Sequence, residues 1–120
     1  MRTKKEQTLP EQKLQPHDID TEYAVLSTLM RYNEKYQQYS DLLGSDLFYY
    51  EREKAMYKCI EGVICEGHIT DVNSLYEYSQ AHELGYKIER YDFVNIIQLV
   101  SKETFEQDVK RLRDMSRRRT

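Results

Sequence analysis

Apolar residues recur at the spacing of an α-helix directly after Pro16. The positions i, i+4, i+7 and i+11 hold Ile19, Tyr23, Leu26 and Met30. Residues at this spacing lie on one face of a helix, so that one side of the segment can be buried. Asp18 or Asp20 can cap the helix by accepting a hydrogen bond from a backbone N–H of its first turn. The segment is therefore predicted to be an amphipathic helix.

The same spacing predicts five more helices. Apolar residues around Tyr36 and Leu43 mark a short second helix that is expected to end at Gly44 in a left-handed turn. A third helix covers about residues 51–66 and ends at Gly67, and Thr70 or Asp71 caps a fourth. Two further helices follow the loop around Gly85, and the joint between them at residues 101–103 is very short. Helices joined so tightly are expected to form an antiparallel hairpin.

The chain has only four glycines and two prolines, and no strand-like alternation persists. We therefore predict an all-α fold, in which a compact helical globule of about four helices is followed by a C-terminal helical hairpin. The predicted boundaries are a flexible N-terminal arm at residues 1–16 and a helical domain at 17–116. Within that domain, 17–84 form the globule and 91–116 the hairpin. Residues 117–120 are the basic start of a linker.

Two sets of apolar residues follow from these helices. The predicted core consists of Ile19, Leu26, Met30, Phe48, Met56, Ile60 and Val63. The hairpin has two faces and one globule to contact, so its apolar residues are predicted to form a self-association or partner interface. These residues are Phe93, Ile96, Ile97, Val100, Phe105, Val109 and Leu112. The sequence leaves open which of them face a partner and which face a neighbouring helix.

Composition restricts the possible functions. Charged residues make up 32% of the chain, the mean hydropathy is −0.85, and no apolar run is long enough to span a membrane. We expect a cytoplasmic protein without a membrane partner. The net charge of −3 does not favour a nucleic-acid-binding protein, but residues 110–120 carry six basic residues against one acidic residue. A small helical DNA-binding protein that uses this basic C-terminal helix is therefore the alternative hypothesis.

The stretch CIEGVICEGH, residues 59–68, holds both cysteines and one histidine. The C-x5-C-x2-H spacing differs from the C-x2–4-C pairs of structural zinc sites, so Cys59 is predicted to be a buried core residue and Cys65 an incidental one. The sequence contains no G-x-x-x-x-G-K-[ST] phosphate-binding loop. We predict no catalytic residue, no cofactor and no metal ligand in this chain.

Several segments, in order, resemble the N-terminal domain of DnaB-type replicative DNA helicases. PHDIDTEYAVLSTLM (16–30) is similar to the family's opening, DLLGSDLFYYEREKAMYKCI (41–60) to its L…DFY…H..IF..I segment, and SKETFEQDVKRLRD (101–114) to its last helix. EGHITDVNSLYEY matches the intervening passage except that Ile69 replaces a proline. Other departures are Ser27 for glycine, Glu53 for histidine and a missing double glycine. They indicate a divergent member, such as one from a phage or mobile element.

The resemblance implies a function that the residues alone do not show. The family's domain pairs through its hairpin, helps to build a hexameric collar, and docks the C-terminal domain of primase or a helicase loader. A linker joins it to an ATPase motor, which binds ATP and magnesium and contacts DNA. By this resemblance the chain is a non-catalytic interaction domain, and its parent protein is an ATP-dependent DNA helicase.

Overall fold

The computed structural model describes residues 15–99 and 102–119. Within these ranges the chain is helical and contains no strand, which confirms the all-α prediction. Residues 1–14 of the predicted arm (1–16) and the predicted interface residue Val100 lie outside the described residues. The helices are α1 (Ile19–Arg31), α2 (Glu34–Gln38), α3 (Glu51–Cys65), α4 (Val72–Ala81), α5 (Arg90–Ile96) and α6 (Phe105–Arg119), and two 3₁₀ turns lie at Ser45–Leu47 and Lys102–Thr104.

Helix α1 begins where the sequence places a cap. The side chain of Asp18 accepts a hydrogen bond from the backbone N–H of Thr21 at 3.2 Å. Asp71 caps α4 in the same way through Ser74 at 2.7 Å. Thr70, the alternative cap, is buried instead and donates its hydroxyl to the carbonyl of Met30 at 2.6 Å. The passage before α4 is thereby attached to the end of α1.

Six of the seven predicted core residues are buried, and they surround α1 and α3. The six are Leu26, Met30, Phe48, Met56, Ile60 and Val63. The prediction for Ile19 is wrong, because this residue opens α1 at the surface and is only half-buried. Helix α3 contacts both α1 and α4. The stripe that sequence periodicity identified on α1 and α3 is therefore the centre of the fold.

The second helix differs from its prediction. Helix α2 ends at Gln38, and residues 39–42 form turns instead of continuing it. Gly44 has φ −179°, which is extended backbone, so the predicted left-handed stop is absent there. Gly67 follows the end of α3 and has φ +80°. This is the left-handed conformation that was predicted to stop the helix.

Both helices of the predicted hairpin pack onto the globule. Helix α6 contacts α1 and the 3₁₀ turn Ser45–Leu47, whereas α5 contacts α4 and α1. Residues 117–119, which we expected to begin a linker, belong to the last turn of α6. This turn is fixed by Arg119, which donates to the carbonyls of Pro16 at 2.7 Å and Asp46 at 3.0 Å. The start and end of the described chain therefore lie side by side.

Candidate interaction surface

The structure buries most of the predicted interface residues against their own chain. Five are at most 5% exposed, and they are Phe93, Ile96, Phe105, Val109 and Leu112. Ile97 is partly buried against the same core, and its carbonyl accepts a hydrogen bond from Nε of Arg31 at 2.9 Å. In this arrangement the five buried side chains attach α5 and α6 to the globule. A partner could touch them only if these helices moved outward, so their use as an interface stays a prediction.

The outer side of α5 carries apolar residues of its own. Tyr91 is 62% exposed, Val94 is 41% exposed, and Leu99, in the turn after the helix, is 47% exposed. Tyr91 and Val94 are three residues apart and lie on one helix face, opposite to the buried Phe93. Leu99 lies at the neighbouring edge of the helix, where it lines a pocket with Asn95 and Ile96. We call Tyr91, Val94 and Leu99 together the outer α5 surface. Apolar side chains grouped on an exposed face are typical of interaction sites.

An arginine on α3 connects this region to α1. Nε of Arg52 donates to Oε2 of Glu53 at 2.8 Å, and Nη2 donates to the hydroxyl of Tyr23 at 2.7 Å. Nη1 lies 3.8 Å from Oδ1 of Asp92 on α5. Asp92 also accepts the backbone N–H of Glu89, which closes a capping box at the start of α5. The network fixes the position of α5, and hence of its outer surface, relative to α1 and α3.

A second buried carboxylate lies close to this network. Glu22 on α1 is fully buried, and its Oε2 accepts the backbone N–H of Tyr49 at 3.2 Å. Burial raises the pKa of Glu22 to about 7, and the negative charge of Glu53 acts in the same direction. Sequence reasoning missed this group, because a glutamate in the first turn of a helix is usually solvated and interacts favourably with the helix dipole.

The basic residues of α6 are largely engaged with the chain itself. Arg111 pairs with Asp18 at 2.7 Å, and Arg118 pairs with Asp114 at 3.0 Å. Arg113 donates to the carbonyl of Leu42 at 3.2 Å. The guanidinium of Arg119 also lies 5.5 Å from the centre of a tyrosine ring, that of Tyr49. These contacts give the basic residues a structural use, and the DNA-binding alternative gains no support from them.

The two cysteines lie in different environments. Cys59 is buried as predicted, and burial raises the pKa of its thiol to about 12. Cys65 and His68 are exposed. In the part of the chain that the structure describes, no group of three or more His, Cys, Asp or Glu side chains is placed to hold a metal ion. No helix among the same residues is long and apolar enough to cross a membrane.

The outer α5 surface was missed by sequence reasoning, although a signal for it exists. The spacing of Phe93, Ile96 and Ile97 identifies one apolar face, and the pair Tyr91 and Val94 forms a second face on the far side of the helix. A helix with apolar residues on both faces cannot bury both against one globule. That conflict marks the helix as a candidate for contact with another molecule.

The fold and the surface together define a small all-α domain with an exposed apolar face beside a buried charge network. Comparison with protein families shows which family this domain belongs to. Residues 14–114 match the family model described as DnaB-like helicase N terminal domain, and the chain belongs to this family. The match covers most of the chain and confirms the resemblance found in the sequence motifs. A search of curated proteins finds none that matches the chain.

Proposed function

We propose that this chain is the non-catalytic interaction domain of a replicative DNA helicase, that it self-associates, and that it docks primase or a helicase loader. Membership of the DnaB-like helicase N-terminal domain family supports a role in DNA replication. The parent protein would carry the ATP-dependent motor, bind ATP and magnesium there, contact DNA through it, and work in the cytoplasm. This chain would contribute contacts between proteins.

The observation that carries the proposal is the outer α5 surface. Its three residues are 41–62% exposed although they are apolar or aromatic, and tyrosines such as Tyr91 are enriched where proteins meet. Tyr91 and Val94 belong to a helix whose other face is anchored in the core by Phe93 and Ile96, and Leu99 follows this helix. A rigidly held apolar surface loses little conformational entropy when it binds, which favours association. We therefore place the proposed self-association contact on this outer face.

The residues that were predicted as the interface have a supporting part in this proposal. Phe105, Val109 and Leu112 attach α6 to α1 and the first 3₁₀ turn, and Phe93 attaches α5. They hold α5 and α6 against the globule, and direct contact of these side chains with a partner stays a prediction that requires the helices to move outward. Truncating them would disturb association through the fold, whereas changing the outer α5 surface would disturb it with the fold intact.

Light scattering coupled to size-exclusion chromatography tests self-association. We expect the full chain to shift from monomer toward dimer between tens and hundreds of micromolar. Val94→Glu combined with Leu99→Glu should remove the shift, because charges would be placed in an apolar contact. Ile69→Glu is the matched control, since Ile69 is 75% exposed and lies outside this surface. Equal association of the control and the double variant would refute the assignment of the surface.

Calorimetric titration with the C-terminal domain of the cognate primase tests docking. Binding that Tyr91→Ser weakens by at least tenfold, with an unchanged melting temperature, would support docking on the outer α5 surface. Titration with a helicase loader under the same conditions distinguishes the two partners. A chain that stays monomeric at hundreds of micromolar and binds neither protein would contradict the proposed function.

A further inference from the structure

A cleft of about 460 Å³ lies between the start of α1 and the start of α3. Three tyrosines line it, Tyr23 from α1, Tyr50 from the residue before α3, and Tyr86 from the loop before α5. Glu51 and Glu53 line it as well. The volume falls in the range of about 300–1,000 Å³ that is typical of ligand sites. The cleft adjoins a smaller pocket that is lined by Leu99 of the outer α5 surface, and the two share Tyr23 and Arg52. The function proposed above makes no use of the cleft.

The tyrosines offer aromatic surface to a ligand. Tyr50 is 42% exposed and Tyr86 is 44% exposed, whereas Tyr23 is half-buried and its hydroxyl is fixed by Nη2 of Arg52 at 2.7 Å. Burial and the charge of Glu53 raise the pKa of Tyr23, so its ring stays neutral at physiological pH. The face of a tyrosine ring attracts cations, and this attraction strengthens when the cation loses its water.

One of the carboxylates that line the cleft has an oxygen atom without a hydrogen bond. Glu53 is 1% exposed, and its Oε2 accepts from Arg52, but its Oε1 is buried without a hydrogen-bond partner among the described residues. A buried carboxylate oxygen in this condition is costly, and because Oε1 is not accessible to solvent, a ligand would respond to the charge of Glu53 without contacting this atom. Glu51 is 66% exposed, and its contact with Lys54 is a surface pair at 3.5 Å. Such a pair is weak and easily exchanged for another cation.

The local charge favours a cation. Two carboxylates, those of Glu51 and Glu53, and one cation, that of Arg52, line the cleft. The guanidinium of Arg52 is engaged with Glu53, Tyr23 and Asp92, so its charge is already offset. One negative charge is left for a ligand to neutralise.

We propose that this cleft binds the guanidinium group of an arginine that a partner protein presents on a peptide segment. A guanidinium is planar, so it can lie on a tyrosine ring while its N–H groups donate to carboxylates. It is also less strongly hydrated than the ammonium of lysine, which favours its transfer into a partly closed cleft. The volume exceeds that of one arginine side chain and leaves room for part of the peptide backbone.

Titration of the full chain by two-dimensional amide NMR tests the proposal. The probe is N-acetyl-arginine-N-methylamide, and its control is the citrulline analogue, which has nearly the same shape but no charge. We expect saturable shifts at Tyr23, Tyr50 and Tyr86 with the arginine probe, and at least tenfold weaker binding of the citrulline analogue. Binding should also weaken as salt is raised, because the cleft acts through charge.

Two variants localise the site. Glu51→Gln and Tyr86→Leu are surface changes that leave the core intact, and each should weaken the arginine probe severalfold. Glu77→Gln is the matched control for Glu51→Gln, because Glu77 is an exposed glutamate of α4 outside the cleft. The affinity of this control variant for the arginine probe should equal that of the unchanged chain.

Other outcomes would overturn the proposal. Equal binding of the arginine and citrulline probes would show that charge does not select the ligand, and shifts centred elsewhere would show that the cleft is not the site. If Arg2→Gln alone moved the signals of Tyr50 and Tyr86 without any probe, the chain's own N-terminal segment would be the occupant. The assignment to a partner protein would then be wrong.

Discussion

The buried carboxylate of Glu53 accepts a hydrogen bond from Nε of Arg52, its neighbour in the chain, at 2.8 Å. Adjacent residues on a helix point about 100° apart, so the long arginine side chain folds back to reach the glutamate. The side chain of Arg52 is 38% exposed, whereas that of Glu53 is 1% exposed. The pair therefore links a partly exposed side chain at the surface to a buried one in the interior of the domain. It also connects α1 and α5 through Tyr23 and Asp92.

Arg52→Met should destabilise the domain because it removes the charge that pairs with Glu53. Loss of one partner of a buried pair costs about 3–5 kcal/mol, and the partial exposure of Arg52 lowers our expectation to about 2–4 kcal/mol. Urea unfolding at pH 7 measures the change. Lys54→Met is the matched control on the same helix, where the exposed pair with Glu51 should contribute less than about 0.5 kcal/mol. Equal losses in the two variants would show that the buried pair is not stabilising.

The stability of the domain should fall as pH rises through the titration of Glu22. Burial, and secondly the charge of Glu53, raise the pKa of Glu22 from 4.5 to about 7 in the folded chain. The folded state therefore holds a proton between these two pH values that the unfolded state has released. This contribution is complete below about pH 4.5, decreases toward pH 7, and is absent above it. From the linkage relation we expect its size to be about 1–3 kcal/mol.

Glu22→Gln separates this effect from other titrations. Glutamine keeps an oxygen that can accept the backbone N–H of Tyr49 but carries no charge at any pH. We expect the variant to be more stable than the unchanged chain at pH 8 and similar to it at pH 5, as measured by urea unfolding at both values. Glu77→Gln, an exposed change on α4, is the control. A pH dependence that is the same in all three proteins would contradict the role of Glu22.

The sequence predicted α1 and α3 well because each has one apolar face and strong end signals. Asp18 caps α1, and Gly67 adopts the left-handed conformation after α3. These are local features, and they act the same way in most folds. The region after α2 was predicted less well, since a five-residue helix is too short to be stable alone. The course of the chain after α2 depends on contacts with α6, including the hydrogen bond from Arg113 to the carbonyl of Leu42.

The distinction between core and interface on α6 was beyond a sequence argument. Phe105, Val109 and Leu112 form an amphipathic stripe that would look the same whether it packed on its own globule or on a partner. The position of α1 decides between core and interface, because α1 lies against α6 and covers the stripe. The buried carboxylates of Glu22 and Glu53 were equally hidden, because their burial depends on how α1 and α3 pack.

Ile60→Asp should severely destabilise the domain. Ile60 is fully buried on α3, and an unpaired charge there has no partner to compensate its lost hydration. We expect a loss of about 4 kcal/mol or more, measured as a large fall in the melting temperature or as failure to fold. Ile69→Asp is the matched control, since Ile69 is 75% exposed and should tolerate the change. An unchanged melting temperature for Ile60→Asp would refute its burial.

Gly62→Ala should have two opposite effects on stability, a gain from helix propensity and a loss from packing. In an isolated helix the change would stabilise α3 by about 1 kcal/mol. In this fold a methyl group on residue 62 would overlap the ring of Tyr78 on α4, which is stacked on His82 with 3.8 Å between ring centres. We expect a net loss of about 1–3 kcal/mol, because the ring and α4 must move away from α3.

Urea unfolding of Gly62→Ala, alone and combined with Tyr78→Ala, decides which effect is larger. In the Tyr78→Ala background the ring is gone, so the added methyl group should be neutral or stabilising. A double-mutant cycle then gives the coupling between the two positions, which we expect to exceed about 1 kcal/mol for residues in direct contact. If Gly62→Ala stabilised the domain in both backgrounds, the close approach of α3 and α4 at Gly62 would be wrong.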